Sequence, residues 1–441
     1  MQILDIIIAK RDGRELSREE IDFFVREYGA GNIPDYQASA LLMAVYLNKM
    51  NPRETTDLAL AMAASGEKIS YEGIPGIRVD KHSSGGVGDK TTLIVGPMTA
   101  ACGLSVAKMS GRGLGFSGGT IDKLESIPGF RTSLSREEFV RLVRENGIAV
   151  MGQTQNVAPV DKKLYALRDV TGTVENLSLI ASSIMSKKLA CDSDAIVLDV
   201  KAGSGAFMKS VEEAVELARE MVSIGALAGK KIVAAVTNMD EPLGYAVGNA
   251  LEVKEAIHTL RGKGPADLIE LCLVIGSLML ELGEIAPDRD TARKMLEGVL
   301  LDGSAYEKFL SFVCNQGGDV SVIKDESLLP AAKVQLPVLA AQDGLVSRID
   351  AQKVGEASLM VGAGRHRQDD VPDLSVGVVL AKKVGDRVGK GETLCTVHCN
   401  DKISGEQAVE WLRGGFEIGE TAAVRPMLHA LVTPKEVIRF D

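Results

Sequence analysis

The 441-residue sequence predicts an α/β protein of two lobes, one helical and one built on a mainly parallel sheet, with a C-terminal α+β portion. Three observations lead there. Residues 1–67 carry only helical periodicity. From about residue 78, short apolar runs alternate with glycine-rich loops and amphipathic helices, and from about residue 334 short strands dominate. The length allows about three domains, or two with a discontinuous chain. Fifty Lys+Arg against 60 Asp+Glu leave a net charge of −10. That balance excludes a general nucleic-acid binder with basic stripes, but not a local cationic pocket.

In the helical part, LSREEIDFFVREY offers a capping box, in which Ser17 accepts the amide of Glu20 and the Glu20 carboxylate reaches back, while Leu16 staples onto Ile21. DYQASALLMAVYLNKM and PRETTDLALAMAASGE follow with helical spacing and Pro52 at a first turn. LSREEF at 134–139 repeats the first cap. IRVDKHSSGGVGDKTTLIVGPMTAACG then reads as strand, glycine loop and helix, and SVAKMSGRGLGFSGGTIDKLESIPG repeats the pattern. DAIVLDVKAGSGAFMK with the helix after it is a third such unit, and KKIVAAVTNMDEPLG starts a further strand. Continuous apolar strands alternating with helices imply a parallel sheet covered on both faces. Between them, KKLYALRDVTGTVENLSLIASSIMSKKLA is helical and is expected to rejoin the N-terminal helices.

The expected division is therefore 1–67 and 162–193 for the helical lobe, 68–161 and 194–333 for the α/β lobe, and 334–441 for the C-terminal portion. GEKISYEGIPG and QTQNVAPVD would be the hinge-like crossings. Late in the chain, strand, VGDRVGKGE turn and strand resemble a biotinyl or lipoyl hammerhead, but no modifiable lysine stands at a tip, so a scaffold is expected. Six cysteines, mostly in apolar runs such as FVC (312–314), read as small buried hydrophobes of a reducing compartment. Cys395, His398 and Cys399 fit a strand with alternating faces and lack the further ligands of a metal site. No run reaches the ~18 apolar residues of a membrane span. The N-terminal segment lacks a basic n-region and a cleavage site, so the cytoplasm is the expected location, with no membrane partner.

Two segments carry chemistry. In KHSSGGVGDKTT (81–92), glycines let main-chain N–H groups approach an anion while Lys81, Ser83 and Thr92 add charge and hydroxyls. The string is not a Walker loop. In KMSGRGLGFSGGT (108–120), Lys108, Ser110 and Thr120 repeat the inventory. Two hydroxyl-rich glycine loops at the ends of neighbouring strands point to one phosphate pocket.

SGRGLGFSGGTIDKLE, KHSSGGVGD and YALRDVTGTVENLSLIASSIMSKKLA together resemble the thymidine and pyrimidine-nucleoside phosphorylases, over essentially the whole chain. AKMSGRG and ASSIMSKK are similar to the bacterial pyrimidine-nucleoside branch. The resemblance implies reversible phosphorolysis of pyrimidine nucleosides (uridine, thymidine, deoxyuridine) to free base and (deoxy)ribose 1-phosphate, with inorganic phosphate as co-substrate. Phosphate is itself a nucleophile, so the paired carboxylates of glycoside hydrolysis are not required. The resemblance assigns phosphate to Lys81, His82, Ser83, Thr92, Lys108, Met109, Ser110 and Thr120, and the base to Tyr165, Arg168, Ser183 and Lys187. His82, Arg168 and Lys187 are the expected catalytic residues, His82 facing the base carbonyl O2. A homodimer through the helical lobe is also implied, for which DYQASALLMAVYL offers an apolar surface.

Taken alone, each residue has a plainer reading. Arg168 can pair with Asp169 on a helix surface, Lys187 and Lys188 suit a helix C-terminus, and His82 can be structural. His258, His366, His429 and Trp411 read as structural. Rival functions are a thymidine-only phosphorylase, an anthranilate-type phosphoribosyltransferase and a nucleoside-binding protein impaired in closure. For the phosphoribosyltransferase, the acidic Mg²⁺ pair is not apparent.

Three positions depart from the family pattern. Phe116-Ser117 stands where His-Thr is usual, which is expected to leave the loop KAGSGAF (201–207) less tethered. Ser84 replaces Thr, a mild change. Lys90 replaces Thr in a potassium site whose other members match Gly88, Leu243, Ala246 and Glu255. Either potassium still binds there, or the Lys90 ammonium folds toward Glu255 and replaces it.

Overall fold

The computed structural model describes every residue except Leu114, Ser117, Gln155, Gln368 and Asp441. Four helices open the chain: α1 (Ile3–Arg11), α2 (Arg18–Gly29), α3 (Asp35–Asn48) and α4 (Pro52–Ala64). The expected cap on α2 forms, with Ser17 Oγ accepting the Glu20 amide at 3.3 Å and Glu20 Oε2 the Ser17 amide at 2.8 Å. Asn51 and Glu54 build a second capping box, with Pro52 in the first turn of α4. Leu16 and Ile21 are buried beneath the first cap.

Then come β1 (Val79–Ser83), α5 (Thr91–Ala101), β2 (Val106–Ser110), α6 (Thr120–Glu125), α7 (Arg136–Asn146) and β3 (Ile148–Gly152). The helices α8 (Pro159–Asp169) and α9 (Leu177–Leu189) return to the first four, where Val160, Leu164 and Leu179 complete a core with Ile21, Phe24, Leu41 and Leu58. After them run β4 (Ala195–Ala202), α10 (Val211–Leu227), β5 (Lys231–Asn238), β6 (Ala246–Val247) and α11 (Asn249–Leu260), and then α12 (Ala266–Leu282), α13 (Arg289–Leu301), α14 (Ser304–Asn315) and α15 (Ser321–Lys324).

The main sheet has the order β1-β4-β5, all parallel, with Lys81 opposite Val197, His82 opposite Leu198 and Ser83 opposite Asp199. β2 and β3 form a separate parallel pair. Every residue of β4 is buried, because α9 and α10 cover one face of the sheet and α5 and α12 the other. Asp199 and Lys201 therefore lie inside a strand otherwise made of Ala, Ile, Val and Leu.

The C-terminal portion contains β7 (Val334–Leu339), β8 (Gly344–Ile349), α16 (Ala351–Met360), β9 (Gly377–Leu380), β10 (Arg387–Val388), β11 (Thr393–Cys399), α17 (Lys402–Arg413) and β12 (Phe416–Gly419). They make two antiparallel sheets, β10-β8-β12 and β6-β9-β11-β7. The end of the chain returns to the main sheet. Its last strands, β13 (Leu428–Val432) and β14 (Val437–Arg439), leave these sheets and extend the main one, β13 pairing with β5. Ala430, Leu431 and Val432 are buried there, and the β5 edge is thereby closed. Cys314 also departs from expectation. It is exposed on α14, whose inward face is taken by Phe309, Phe312 and Val313. Among the described residues no helix is long and apolar enough to cross a membrane.

Candidate active site

β1 and β2 end at Ser83 and Ser110, and from each a glycine loop leads into a helix, α5 and α6. The first loop closes on Asp89: Ser83 Oγ donates to its Oδ2 at 2.5 Å, and Thr91 Oγ1 to its Oδ1 at 2.6 Å. Gly85 (φ +93°) and Gly88 (φ +74°) take the left-handed backbone the turn requires. The hydroxyls of Thr92, Ser110 and Thr120 have no hydrogen-bond partner among the described residues.

Beneath the loops lies a buried ionic layer. Asp80 Oδ2 accepts Lys188 Nζ at 2.8 Å, and its Oδ1 is 3.4 Å from Lys108 Nζ, which also donates to Met109 O at 2.8 Å. Asp199 Oδ2 lies 2.8 Å from Lys201 Nζ and 3.6 Å from Lys81 Nζ, while Oδ1 accepts Thr237 Oγ1 at 2.6 Å. Burial pushes the Lys108 ammonium from 10.5 down to about 7, with Asp80 opposing and the neighbouring lysines reinforcing. Burial also drives His82 well below its ordinary value, helped by the ammoniums of Lys188, Lys108, Lys81 and Lys187. His82 is therefore a neutral imidazole at neutral pH, and its buried Nε2 has no protein partner among the described residues.

The residues expected to bind the base stand one helical turn apart, Tyr165 and Arg168 on α8, Ser183 and Lys187 on α9. Lys187 Nζ lies 2.6 Å from Asp161 Oδ2 and donates to Ser183 O at 3.2 Å and Ser183 Oγ at 3.3 Å. Arg168 is buried and does not lie on the helix surface beside Asp169. Its guanidinium donates to Thr173 O (3.1 Å), Val174 O (2.6 Å) and Leu179 O (2.9 Å), stitching together the turn between α8 and α9. Three of its five N–H groups are used, and burial lowers its pKa. The half-exposed Tyr165 ring lies 5.8 Å from Arg168 Cζ.

Ser117 of the Phe116-Ser117 pair lies outside the described residues. Phe116 packs into the large core next to Val87 and Gly355 of α16. The loop at 201–207 has ties of its own: Ser204 donates to Asp240 through N at 3.0 Å and Oγ at 2.9 Å, and Ala351 N donates to Ser204 Oγ at 3.1 Å.

Comparison with known proteins places this geometry. Residues 4–66 match the helical bundle domain of a glycosyl transferase family, 76–306 its a/b domain, and 345–419 the pyrimidine nucleoside phosphorylase C-terminal domain. The pyrimidine-nucleoside phosphorylase of Bacillus subtilis (strain 168) is 53% identical over 433 residues, covering 98% of this chain and 100% of its own. That of Geobacillus stearothermophilus is 56% identical over 400 residues, covering 91% and 92%. The chain belongs to the pyrimidine-nucleoside phosphorylase family. Among solved structures, the anthranilate phosphoribosyltransferase of Thermus thermophilus superposes with a TM-score of 0.58 at 19% identity, over 71% of this chain and 99% of that one, a likeness of fold.

The potassium ion that the pyrimidine-nucleoside phosphorylase resemblance implies does not fit here. Lys90 is fully buried, and its Nζ donates to Leu243 O and Ala246 O, each at 2.8 Å, and to Glu255 Oε2 at 2.5 Å. The oxygens of that site are taken. In this member of the family, sequence reasoning also missed Asp80, Asp161, Asp199 and Lys201, and read Lys188 only as a helix-end cation. For Asp199 and Lys201 a signal was present, two charged residues inside the otherwise apolar strand AIVLDVKA. Buried charges are kept only where they are paired or used.

Proposed function

We propose that this enzyme carries out reversible phosphorolysis of pyrimidine nucleosides, with uridine, thymidine and deoxyuridine as substrates and inorganic phosphate as co-substrate. One observation carries the reading: Lys81, Lys108 and Lys188 converge on Asp199 and Asp80 beneath the two glycine loops, and Asp80 and Lys81 share β1 with His82, whose buried Nε2 has no protein partner among the described residues. Phosphate sits among Lys81, Ser83, Thr92, Lys108, Ser110 and Thr120, at the strand ends where α/β sheets hold ligands. A phosphate oxygen attacks the anomeric carbon as the bond from that carbon to N1 breaks, and the electron pair passes to the base. Lys187, Arg168 and the His82 N–H, directed at O2, stabilise that charge. The proton of hydrogen phosphate ends on the base, so the products are neutral pyrimidine and a sugar 1-phosphate.

A second copy of the chain is the proposed protein partner. Leu4 and Ile8 of α1 and Tyr36 and Leu47 of α3 are exposed apolar side chains on two helices that pack together, and a second copy would cover them. The six free cysteines suit a reducing compartment such as the cytoplasm. The test is release of uracil and thymine with and without phosphate. Strict dependence, with sugar 1-phosphate as product, is expected. Equal release in phosphate-free buffer would make the protein a hydrolase, and product from phosphoribosyl pyrophosphate would favour the phosphoribosyltransferase.

A further inference from the structure

Lys90 is the N-cap residue of α5, immediately after the loop of Ser83 and Asp89. Its ammonium has three N–H groups and meets three acceptors: Leu243 O, Ala246 O and Glu255 Oε2. The carboxylate is held in turn by the amides of Tyr245 at 2.9 Å and Ala246 at 3.1 Å. Glycine backs the cage on two sides. A Cβ at Gly88 would lie 3.4 Å from Nζ, and one at Gly244 would lie 3.2 Å from it. Burial opposes the charge, but Glu255, with Glu252 and Asp267 beyond it, keeps the Lys90 pKa above its usual value.

The cage joins two segments. Lys90 belongs to the phosphate loop by sequence, and its acceptors all lie in 243–255, where Leu243 N also donates to Val87 O at 3.0 Å. Lys383 Nζ also donates to Pro242 O at 2.5 Å and Gly244 O at 3.2 Å, so two ammoniums bind carbonyls of the stretch 242–246. Gly88, Leu243, Ala246 and Glu255, the remaining members of the expected potassium site, all stand round Nζ.

We propose that the Lys90 ammonium is a tethered substitute for the monovalent cation, so that the enzyme works without potassium and Lys90 is a positioning residue for the phosphate loop. A lysine side chain and a potassium ion each carry one positive charge, but the lysine is part of the chain and cannot dissociate. The activity readout rests on the proposed phosphorolysis, whereas the thermal readout does not.

The experiment compares the unmodified enzyme, Lys90→Thr and Lys90→Met in potassium chloride and in choline chloride at matched ionic strength. Melting temperature and the KM values for phosphate and nucleoside are measured. The unmodified enzyme is expected to show the same values in both salts. Lys90→Thr in choline should melt at least about 5 °C lower, because an uncompensated carboxylate is left buried. Its KM for phosphate should rise about tenfold with little change for the nucleoside, since the displaced loop is on the phosphate side. Potassium should restore both in Lys90→Thr and neither in Lys90→Met, whose side chain fills the site and offers no oxygen. Potassium activation or stabilisation of the unmodified enzyme overturns the proposal. So does a Lys90→Thr chain that is normal in choline, or one that neither folds nor recovers in either salt. Absence of phosphorolysis in every chain, with the potassium-dependent melting pattern intact, would count against the activity and not against the cation.

Discussion

Asp80→Asn tests whether the buried ionic layer serves the chemistry or only the fold. Asp80 is the carboxylate shared by Lys108 at 3.4 Å and Lys188 at 2.8 Å. At 3.4 Å and an effective dielectric constant near 20, the attraction lost by Lys108 is about 5 kcal/mol. Half of that, about 2.5 kcal/mol, is worth nearly a hundredfold in the protonation equilibrium. Lys108 titrates at about 7 with Asp80 beside it, so the variant should hold it neutral across the working range. The sign for stability follows from a depressed lysine. The folded chain binds fewer protons than the unfolded chain between about 7 and 10.5, so the cost of this buried charge is full below about pH 7 and fades above it. Activity runs the other way, because phosphate needs the charged form. The assay is kcat/KM for phosphate in both chains from about pH 6 to 9. Phosphate's own ionisation cancels in the ratio. That ratio should be about sevenfold near pH 6, rise as pH climbs through about 7, and level towards about a hundredfold above about pH 8, where both chains lose the charge at the same rate. A constant ratio with a lowered melting temperature would confine Asp80 to structure and refute the reasoning.

Lys187→Ala should lower kcat/KM for the nucleoside by about 10²-fold and leave the phosphate KM nearly unchanged, and near-normal kinetics would remove Lys187 from the site. Arg168→Ala should show the same loss with a lower melting temperature, because three carbonyls lose their donor. Arg168→Lys should not repair it, since one ammonium cannot span the positions of a guanidinium. At Gly355 an added Cβ would come within 2.9 Å of Phe116 O and 3.1 Å of its ring, so Gly355→Ala should displace the second glycine loop and raise the phosphate KM several-fold; an unchanged KM would show that the loop gives way at no cost. Phe116→His should likewise lose activity, because the ring is held by apolar packing. Leu47→Glu should halve the solution mass if α3 is the dimer face, and an unchanged mass in light scattering would refute that placement.

The order of elements was readable from the chain because each is specified locally. The caps at Ser17 and Asn51, the apolar runs of β4 and β5 and the glycines before α5 and α6 are signals a few residues long. Two kinds of feature were not. The addition of β13 to the β5 edge depends on a pairing nearly two hundred residues away in sequence, which no local pattern encodes. The partners of the charged residues depend on packing in the same way. Arg168 could be read as pairing with its neighbour Asp169, but the turn brings three carbonyls to it instead. The family resemblance identifies the residues of the Lys90 cage, but the direction of the lysine side chain is not readable from sequence, since a long flexible stem can point to solvent or inward with the same sequence.

What the packing adds is a reason for so many charges in a dry place. A buried ammonium is unstable unless paired, and each lysine of the layer has a carboxylate within contact: Lys81 and Lys201 with Asp199, and Lys108 and Lys188 with Asp80. Those pairs fix the donors before any substrate arrives, so little reorganisation is left for the moment when charge develops. The pairing is incomplete. Lys81 is 3.6 Å from its carboxylate and Lys108 3.4 Å from its own, long for charge-assisted hydrogen bonds. Both lie on the strands whose ends carry the phosphate loops, whereas the structural pair Lys188–Asp80 is closed at 2.8 Å. The loosely held cations are thus the ones on the proposed phosphate side. An incoming dianion can engage them without first breaking a short ion pair, and the tight pairs behind keep their positions while it does.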